Sequence, residues 1–225
     1  MKLATEAAVP EKNAAPPEHR SWAREPAQSR AELAAAGKAL RQKSPRKALA
    51  DWKPADNRAD PIQLLVDSSQ GRVEHLLPIR YGRMMQTPFT FYRGAAAVMA
   101  ADLATTPSTR LRVQACGDCH LVNFGGFATP ERRLVFDIND FDETLPAPWE
   151  WDLERLATSL LIACRNNGFS EAAARDTVLA CAFSYRENMA EFADMNALDV
   201  WYARLDVEKL LPQIQDQAGL KRIQR

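Results

Sequence analysis

Apolar residues recur at helical spacing in the last third of the chain, at Leu153, Leu156, Ala157, Leu160, Leu161 and Cys164. Positions i, i+3, i+4, i+7, i+8 and i+11 form one apolar face, which is typical of a core helix. The Asn-Asn-Gly run at residues 166–168 predicts where this helix ends. Ser170 is a favourable cap for a second helix, which we expect to run to about Ala193. Residues 196–211 predict one or two shorter helices.

Shorter patterns precede these helices. Short apolar clusters begin after Asp60 and mark the start of the folded part of the chain. Residues 94–103 are rich in alanine and predict a helix that Pro107 ends. Residues 110–115 alternate between polar and apolar side chains, and residues 132–138 contain a short apolar run after a turn, so both predict strands. The pattern indicates an α+β fold that is mainly helical, with a small hairpin or sheet.

The amino-terminal part of the chain has a different composition. Residues 1–60 hold 12 Lys+Arg and 8 Asp+Glu together with many Ala and Pro. Residues 29–42 predict a helix capped by Ser29, with Glu32 at the third helical position. We expect residues 1–57 to be a basic, largely flexible arm and residues 58–225 to form the folded domain. Docking of the arm onto that domain, whose charge balance is acidic, is the alternative.

Charge and hydropathy exclude several classes of protein. The chain has 29 Lys+Arg and 29 Asp+Glu, and this zero net charge disfavours non-specific binding to nucleic acid. No run of 18 apolar residues predicts a membrane span, and residues 1–17 lack the apolar segment of a secretory signal. We therefore expect a cytoplasmic protein whose four cysteines are free thiols.

One pair of cysteines matches two known patterns. Cys116, Cys119 and His120 have the spacing of covalent haem attachment, and the cysteine pair also has that of a redox dithiol. Haem attachment of this kind requires export, which residues 1–17 do not predict. A redox pair is expected at the start of a helix, whereas here Asn123 and Gly125 follow almost at once. Zinc is disfavoured because Cys119 and His120 are adjacent and no second ligand pair follows. We expect no haem and two reduced cysteines beside a loop.

The same segment carries a pattern of oxygen ligands. Asp118 and Asn123 are five residues apart, and Asp140 follows 17 residues later. In kinase-type phosphotransferases an Asp orients the attacking hydroxyl, an Asn five residues on holds a metal, and a further Asp holds Mg²⁺. The turn residues of a lengthened hairpin lie between Asn123 and Asp140, at Gly125, Gly126, Thr129 and Pro130. A purely structural acidic loop is the alternative interpretation.

Two short segments carry a family resemblance. Gly117, Asp118, His120 and Asn123, with Asp140, Phe141, Asp142 and Asp152, resemble the GDxHxxN and DFD segments of aminoglycoside and choline phosphotransferases of the protein-kinase-like superfamily. Longer runs, at residues 88–94, 116–125, 136–144 and 148–156, resemble the bacterial family known as domain of unknown function 2252. The resemblance covers about residues 58–211 and implies a kinase-like carboxyl-terminal lobe whose sheet carries the acidic loop.

The resemblance also implies roles for single residues. Asp118 matches the catalytic base, and His120 matches a residue that braces the catalytic loop. Asn123 and Asp140 match the ligands of Mg²⁺, which would hold an ATP-like nucleotide; Asp142 and Asp137 compete with Asp140 for that role. Asp152 matches a structural carboxylate, which would accept backbone N–H bonds from the catalytic loop. The acceptor, a small molecule or a protein, is left open.

A kinase also needs a cationic cradle for phosphate. The chain has no GxGxxG motif, and no lysine occurs between Lys53 and Lys209. Arginine must then contact phosphate, and the candidates are Arg80, Arg83 and Arg93, although an ordinary ion-pair role for each is the alternative. Arg93 is preferred because the adjacent glycine permits close approach of the backbone.

Members of the resembled family run on past the equivalent of residue 225, so we expect residues 58–225 to be an incomplete kinase-like domain. Such a chain should have little phosphotransfer activity alone and should self-associate through uncovered apolar helix faces. The alternative function is a non-catalytic or truncated structural or regulatory module.

Overall fold

The computed structural model describes residues 28–50 and 52–210, which form an α+β structure that is mainly helical, as predicted. The helices are α1 (Arg30–Lys43), α2 (Pro61–Asp67), α3 (Leu77–Met84), α4 (Pro88–Arg93), α5 (Ala96–Leu103), α6 (Glu150–Asn166), α7 (Glu171–Asp194) and α8 (Ala197–Tyr202). The strands are β1 (Arg112–Ala115), β2 (Phe124–Ala128), β3 (Leu134–Ile138), β4 (Leu145–Pro148) and β5 (Leu205–Asp206). Short 3₁₀ turns lie at Arg46–Ala50, Glu74–Leu76 and Leu121–Asn123.

Helix α1 begins where its sequence predicts. The backbone N–H of Ser29 donates to the Glu32 carboxylate at 2.7 Å, and the N–H of Glu32 donates to the Ser29 hydroxyl at 3.3 Å. This reciprocal capping satisfies two amide groups that the first helical turn leaves unpaired. No residue of α1 is buried. Residues 1–27 and residue 51 lie outside the described residues. The flexibility expected for residues 1–57 and the domain boundary at residue 57 stay predictions.

Helices α2 to α5 enclose a small apolar core around Leu65, Met84, Ala95 and Val98. Gly94 permits this packing, because a Cβ atom at that position would lie 2.6 Å from Sδ of Met84. The sequence predicts that Gly94 permits close approach of the backbone to a phosphate group. In the structure the close neighbour is instead the core side chain of Met84.

The strands form two small antiparallel sheets rather than one hairpin region. β1 pairs with β4, and the second sheet has the order β2-β3-β5. The strand predicted at residues 110–115 begins only at Arg112, because Arg110 has a φ of +59°. Arg132, with a φ of +61°, lies in the turn before β3, so that strand also starts late. Gly125 and Gly126, expected in a turn, instead pair with Asp137 and Phe136 inside the β2–β3 ladder.

Helix α6 confirms the prediction from apolar spacing, and helix α7 confirms the prediction from the Ser170 cap. α6 ends at Asn166, and the Ser170 hydroxyl caps α7 by accepting the N–H of Ala173 at 3.2 Å. The ring of Trp149, just before α6, stacks on Tyr185 of α7 with centroids 5.6 Å apart. Several large apolar side chains of α7 stay exposed, among them Leu179, Phe183 and Met189. Within the described part of the chain, no helix combines the length and apolarity that a membrane crossing requires.

Glu154 is a half-buried residue on α6. Burial, with a smaller contribution from the charge of Glu150, raises the pKa of Glu154 to about 7. Its Oε1 has no hydrogen-bond partner among the described residues. The native state therefore holds a proton that the unfolded chain releases nearer the ordinary pKa of 4.5.

The raised pKa predicts a pH dependence of stability. The folded protein binds more protons than the unfolded chain between pH 4.5 and about 7, so the free energy of unfolding should fall as pH rises through that window. Glu154→Gln replaces the carboxyl group by an amide that is neutral at every pH. The substitution should therefore remove the fall in the free energy of unfolding and raise that free energy by about 2 kcal/mol at pH 8. Urea denaturation from pH 4.5 to 8 measures the effect. The matched control is Glu191→Gln, at an exposed position of α7; an equal change in both variants would contradict the prediction.

Candidate active site on the acidic loop

The loop that follows β1 is held by a carboxylate from the first turn of α6. Oδ2 of Asp152 accepts the backbone N–H of Cys116 at 2.8 Å, and Oδ1 accepts that of Gly117 at 3.1 Å. Bonds to a charged acceptor are stronger than those between neutral groups. This arrangement confirms the structural role expected for Asp152.

Asp118 is paired with a buried arginine. Nε of Arg155 lies 2.6 Å from Oδ1 of Asp118, and Nη2 of Arg155 contacts the same oxygen. Arg155 is only 2% exposed, and it also donates to the carbonyl of Tyr92 at 2.9 Å and lies over the Tyr92 ring at 4.5 Å. These contacts fix the Asp118 carboxylate and leave its Oδ2 outside the ion pair.

A third polar side chain of α6 holds the far end of the loop. Ser159 is fully buried, accepts the N–H of Leu121 at 2.9 Å and donates to the carbonyl of Leu156 at 2.7 Å. Asp152, Arg155 and Ser159 therefore contact the loop in chain order from one face of the helix. The sequence analysis gave no role to Arg155 or Ser159. Their spacing of three and seven residues from Asp152 is the signal that could have found them.

Asn123 joins the two acidic segments. Its Nδ2 lies 3.0 Å from the carbonyl oxygen of Asp118 and 3.1 Å from that of Asp140. Both partners are carbonyl acceptors, so the atom that faces them is the amide donor, and the amide oxygen Oδ1 is left for another ligand. Asn123 is 5% exposed. The structure thus brings Asp118, Asn123 and Asp140 together through one side chain.

The three candidate metal-binding aspartates differ in their surroundings. Oδ1 of Asp140 accepts the N–H of Asp142 at 3.1 Å, and Asp140 is the one bound to Asn123 through its carbonyl. Asp142 is exposed, and its backbone is the donor in that turn. Oδ1 of Asp137 accepts the N–H of Ile138 at 2.8 Å on β3. Asp140 therefore has the closest structural link to Asn123.

The loop has a negative electrostatic field. Burial, followed by the negative charges of Asp118 and Asp140, raises the pKa of Glu143. A bound cation would relieve this repulsion. Among the described residues, no group of three or more His, Cys, Asp or Glu side chains is placed to hold a metal ion. Mg²⁺ bound to a nucleotide needs fewer, since one or two carboxylates suffice when phosphates and water supply the rest.

His120 lies beside Asp118 without bonding to it. Its Nε2 is 3.7 Å from Oδ2 of Asp118, and its Nδ1 is buried with no partner in the described part of the chain. Burial lowers the pKa of His120; the Asp118 carboxylate opposes this effect, and the charges of Arg155 and Arg93 add to it. The imidazole is therefore neutral near pH 7.

The three candidate phosphate-binding arginines occupy different places. Arg93, at the end of α4, is close enough for its charge to lower the pKa of His120. Arg80 donates to the carbonyl of Gly94 at 3.0 Å. Arg83 is exposed in the last turn of α3. Arg93 is thus the arginine of the three that interacts with the loop.

The cysteines of the loop are thiols. All four cysteines of the chain are free of disulfides, and Cys116 and Cys119 are buried. Burial raises the pKa of Cys116 and of Cys119, which keeps both protonated and weakly nucleophilic. Sγ of Cys116 lies 3.6 Å from the carbonyl of Asp140, so this thiol packs inside the loop.

Gly117 provides a test of the loop geometry. Its φ is +81°, and an added Cβ would lie 2.7 Å from the carbonyl carbon of Glu143 and closer still to its oxygen. Gly117→Ala should therefore lower the free energy of unfolding by about 2 kcal/mol or more, as measured by urea denaturation.

Gly82 supplies the matched control, because a Cβ there meets nothing within 4 Å. Gly82→Ala lies inside α3 and should leave stability unchanged or raise it by up to about 1 kcal/mol. Equal stability of the two variants would contradict the loop geometry.

Comparison with known proteins identifies a family and no activity. The family model for uncharacterised proteins conserved in bacteria, DUF2252, matches residues 72–225. The match includes the acidic loop and all of α6. No curated protein and no solved structure matches the chain. The kinase-like lobe arrangement therefore stays a prediction, as do the roles of the individual loop residues.

Proposed function

Since the chain belongs to the DUF2252 family of uncharacterised bacterial proteins, which brings no activity with it, we propose from the loop geometry that residues 116–142 form a Mg²⁺-nucleotide site of the phosphotransferase type. Its kinase-like character rests on the motif resemblance. We also propose a cytoplasmic location for the protein.

One observation carries the proposal. A single amide group, that of Asn123, bonds to the carbonyls of both Asp118 and Asp140 and keeps its own oxygen available. The residue that would orient the acceptor and the residue that would bind the metal are thereby held in fixed relation. Oxygen donors of this kind suit Mg²⁺. The negative field that raises the pKa of Glu143 favours a cation at the same place.

Each residue has a distinct task in this proposal. Oδ2 of Asp118, which Arg155 leaves outside the ion pair, accepts a hydrogen bond from the acceptor hydroxyl and then its proton. Oδ1 of Asn123 and the carboxylate of Asp140 are the metal ligands, with Asp142 as a further candidate. Arg93 supplies positive charge toward phosphate. When bound, Mg²⁺ would neutralise charge on the transferred phosphoryl group.

A structural role for the loop is the second candidate. The ion pair between Asp118 and the buried Arg155 favours a structural role, because a loop that performs no reaction would need the same contact in order to fold. A loop with a purely structural role would bind no nucleotide. The two candidates therefore differ in a measurable property.

Nucleotide binding tests the proposal. Titration calorimetry with ATP should show binding that requires Mg²⁺, and Asp140→Asn should weaken it by at least about tenfold, because a charged oxygen ligand is lost. Asp137→Asn is the matched control, since among the described residues the Asp137 carboxylate bonds only to the N–H of Ile138. Binding without Mg²⁺, equal effects of both variants, or no binding at all would contradict the proposal. Binding is the chosen readout because it does not require the acceptor to be known.

A further inference from the structure

A cavity of about 480 Å³ lies between α4, α5 and α6, and Leu49 and Trp52 also line it. Its walls are largely apolar and aromatic, with Trp52, Phe91, Tyr92, Val98, Met99 and Leu103 among them. Sites for small organic molecules have volumes of roughly 300–1,000 Å³ and walls of this kind. No residue of the acidic loop lines the cavity, so its occupant would be bound independently of the proposed nucleotide site.

Two carboxyl groups line this cavity, and only one of them is neutralised. Asp102 forms a two-pronged ion pair with Arg58, with N–O distances of 2.7 and 2.8 Å. Glu154 has no such partner, and its Oε1 accepts no hydrogen bond from the described residues. None of the described residues that line the cavity is Lys, Arg or His.

A second unpartnered carboxylate oxygen lies one helical turn before Glu154. Glu150 is 2% exposed; its Oε1 accepts two bonds from Thr109, at 2.7 and 2.6 Å, while its Oε2 has no partner in the described residues. Buried carboxylate oxygens without donors are costly. Glu150 is not among the described residues that line the cavity, but its charge acts on Glu154 and adds to the negative potential at the α6 wall.

We propose that this cavity binds a small apolar amine in its protonated form. The ammonium N–H groups donate to Glu154, and the hydrocarbon body packs against the aromatic wall. An anion would be repelled by Glu154, and a neutral molecule would leave the charge on this wall unopposed.

Three probes of nearly equal shape test the charge preference: phenylbutylamine, phenylbutanol and phenylbutyrate. Calorimetry at pH 8, on the full chain without nucleotide, should show that the amine binds at least about tenfold more tightly than the alcohol. This ratio corresponds to the free energy of one hydrogen bond to a charged group. The carboxylate should bind least. Equal binding of amine and alcohol would overturn the proposal, as would no binding by any probe, which would mean that the cavity is closed in solution.

Variants assign the binding to this cavity. Glu154→Gln keeps the shape of the side chain and should abolish the preference for amine over alcohol, whereas the exposed Glu191→Gln should preserve it. Ala157→Leu adds volume at the cavity wall and should lower the affinity for the amine and for the alcohol by a similar factor. An amine affinity that Glu154→Gln leaves unchanged would refute the assignment. Because Asp140→Asn should not alter probe binding, this result stands apart from that of the nucleotide experiment.

Discussion

The acidic loop depends on one polar face of α6. Three of the five buried residues of this helix are polar or charged. Asp152, Arg155 and Ser159 form a polar row that bonds to the loop at Cys116 and Gly117, at Asp118, and at Leu121. A buried polar network of this kind specifies one arrangement, because each unpaired member would cost free energy. The loop has little apolar material of its own with which to hold its shape.

The same face connects the loop to the rest of the fold. The guanidinium of Arg155 lies against the ring and carbonyl of Tyr92 on α4, while the Tyr92 hydroxyl donates back to the carbonyl of Arg155 at 3.1 Å. Burial raises the pKa of this hydroxyl to about 12, so it stays a donor. Removing one partner of a buried ion pair is strongly destabilising. The position of Asp118 is therefore tied to the packing of α4 on α6.

Local signals predicted much of this structure. Apolar spacing predicted α6, and cap residues predicted the starts of α1 and α7, because both signals act within a few residues of sequence. Sheet membership was not predictable in this way. β4, which contains two prolines, pairs with β1 across 30 residues of sequence, and Gly125 lies in a strand although its residue type suggests a turn. The motif located the loop, but the roles of Arg155 and Ser159 depend on tertiary contacts.

Hydrogen exchange tests the central role of the α6 face most directly. In the wild type the amides of Cys116, Gly117 and Leu121 should exchange slowly, because each donates to a side chain of α6. Asp152→Asn should accelerate exchange at Cys116 or Gly117 and leave Leu121 protected, whereas Ser159→Ala should accelerate Leu121 alone. Amides within α7 should be unchanged in both variants. Fast exchange of all three loop amides in the wild type, or no difference between the two variants, would contradict this account.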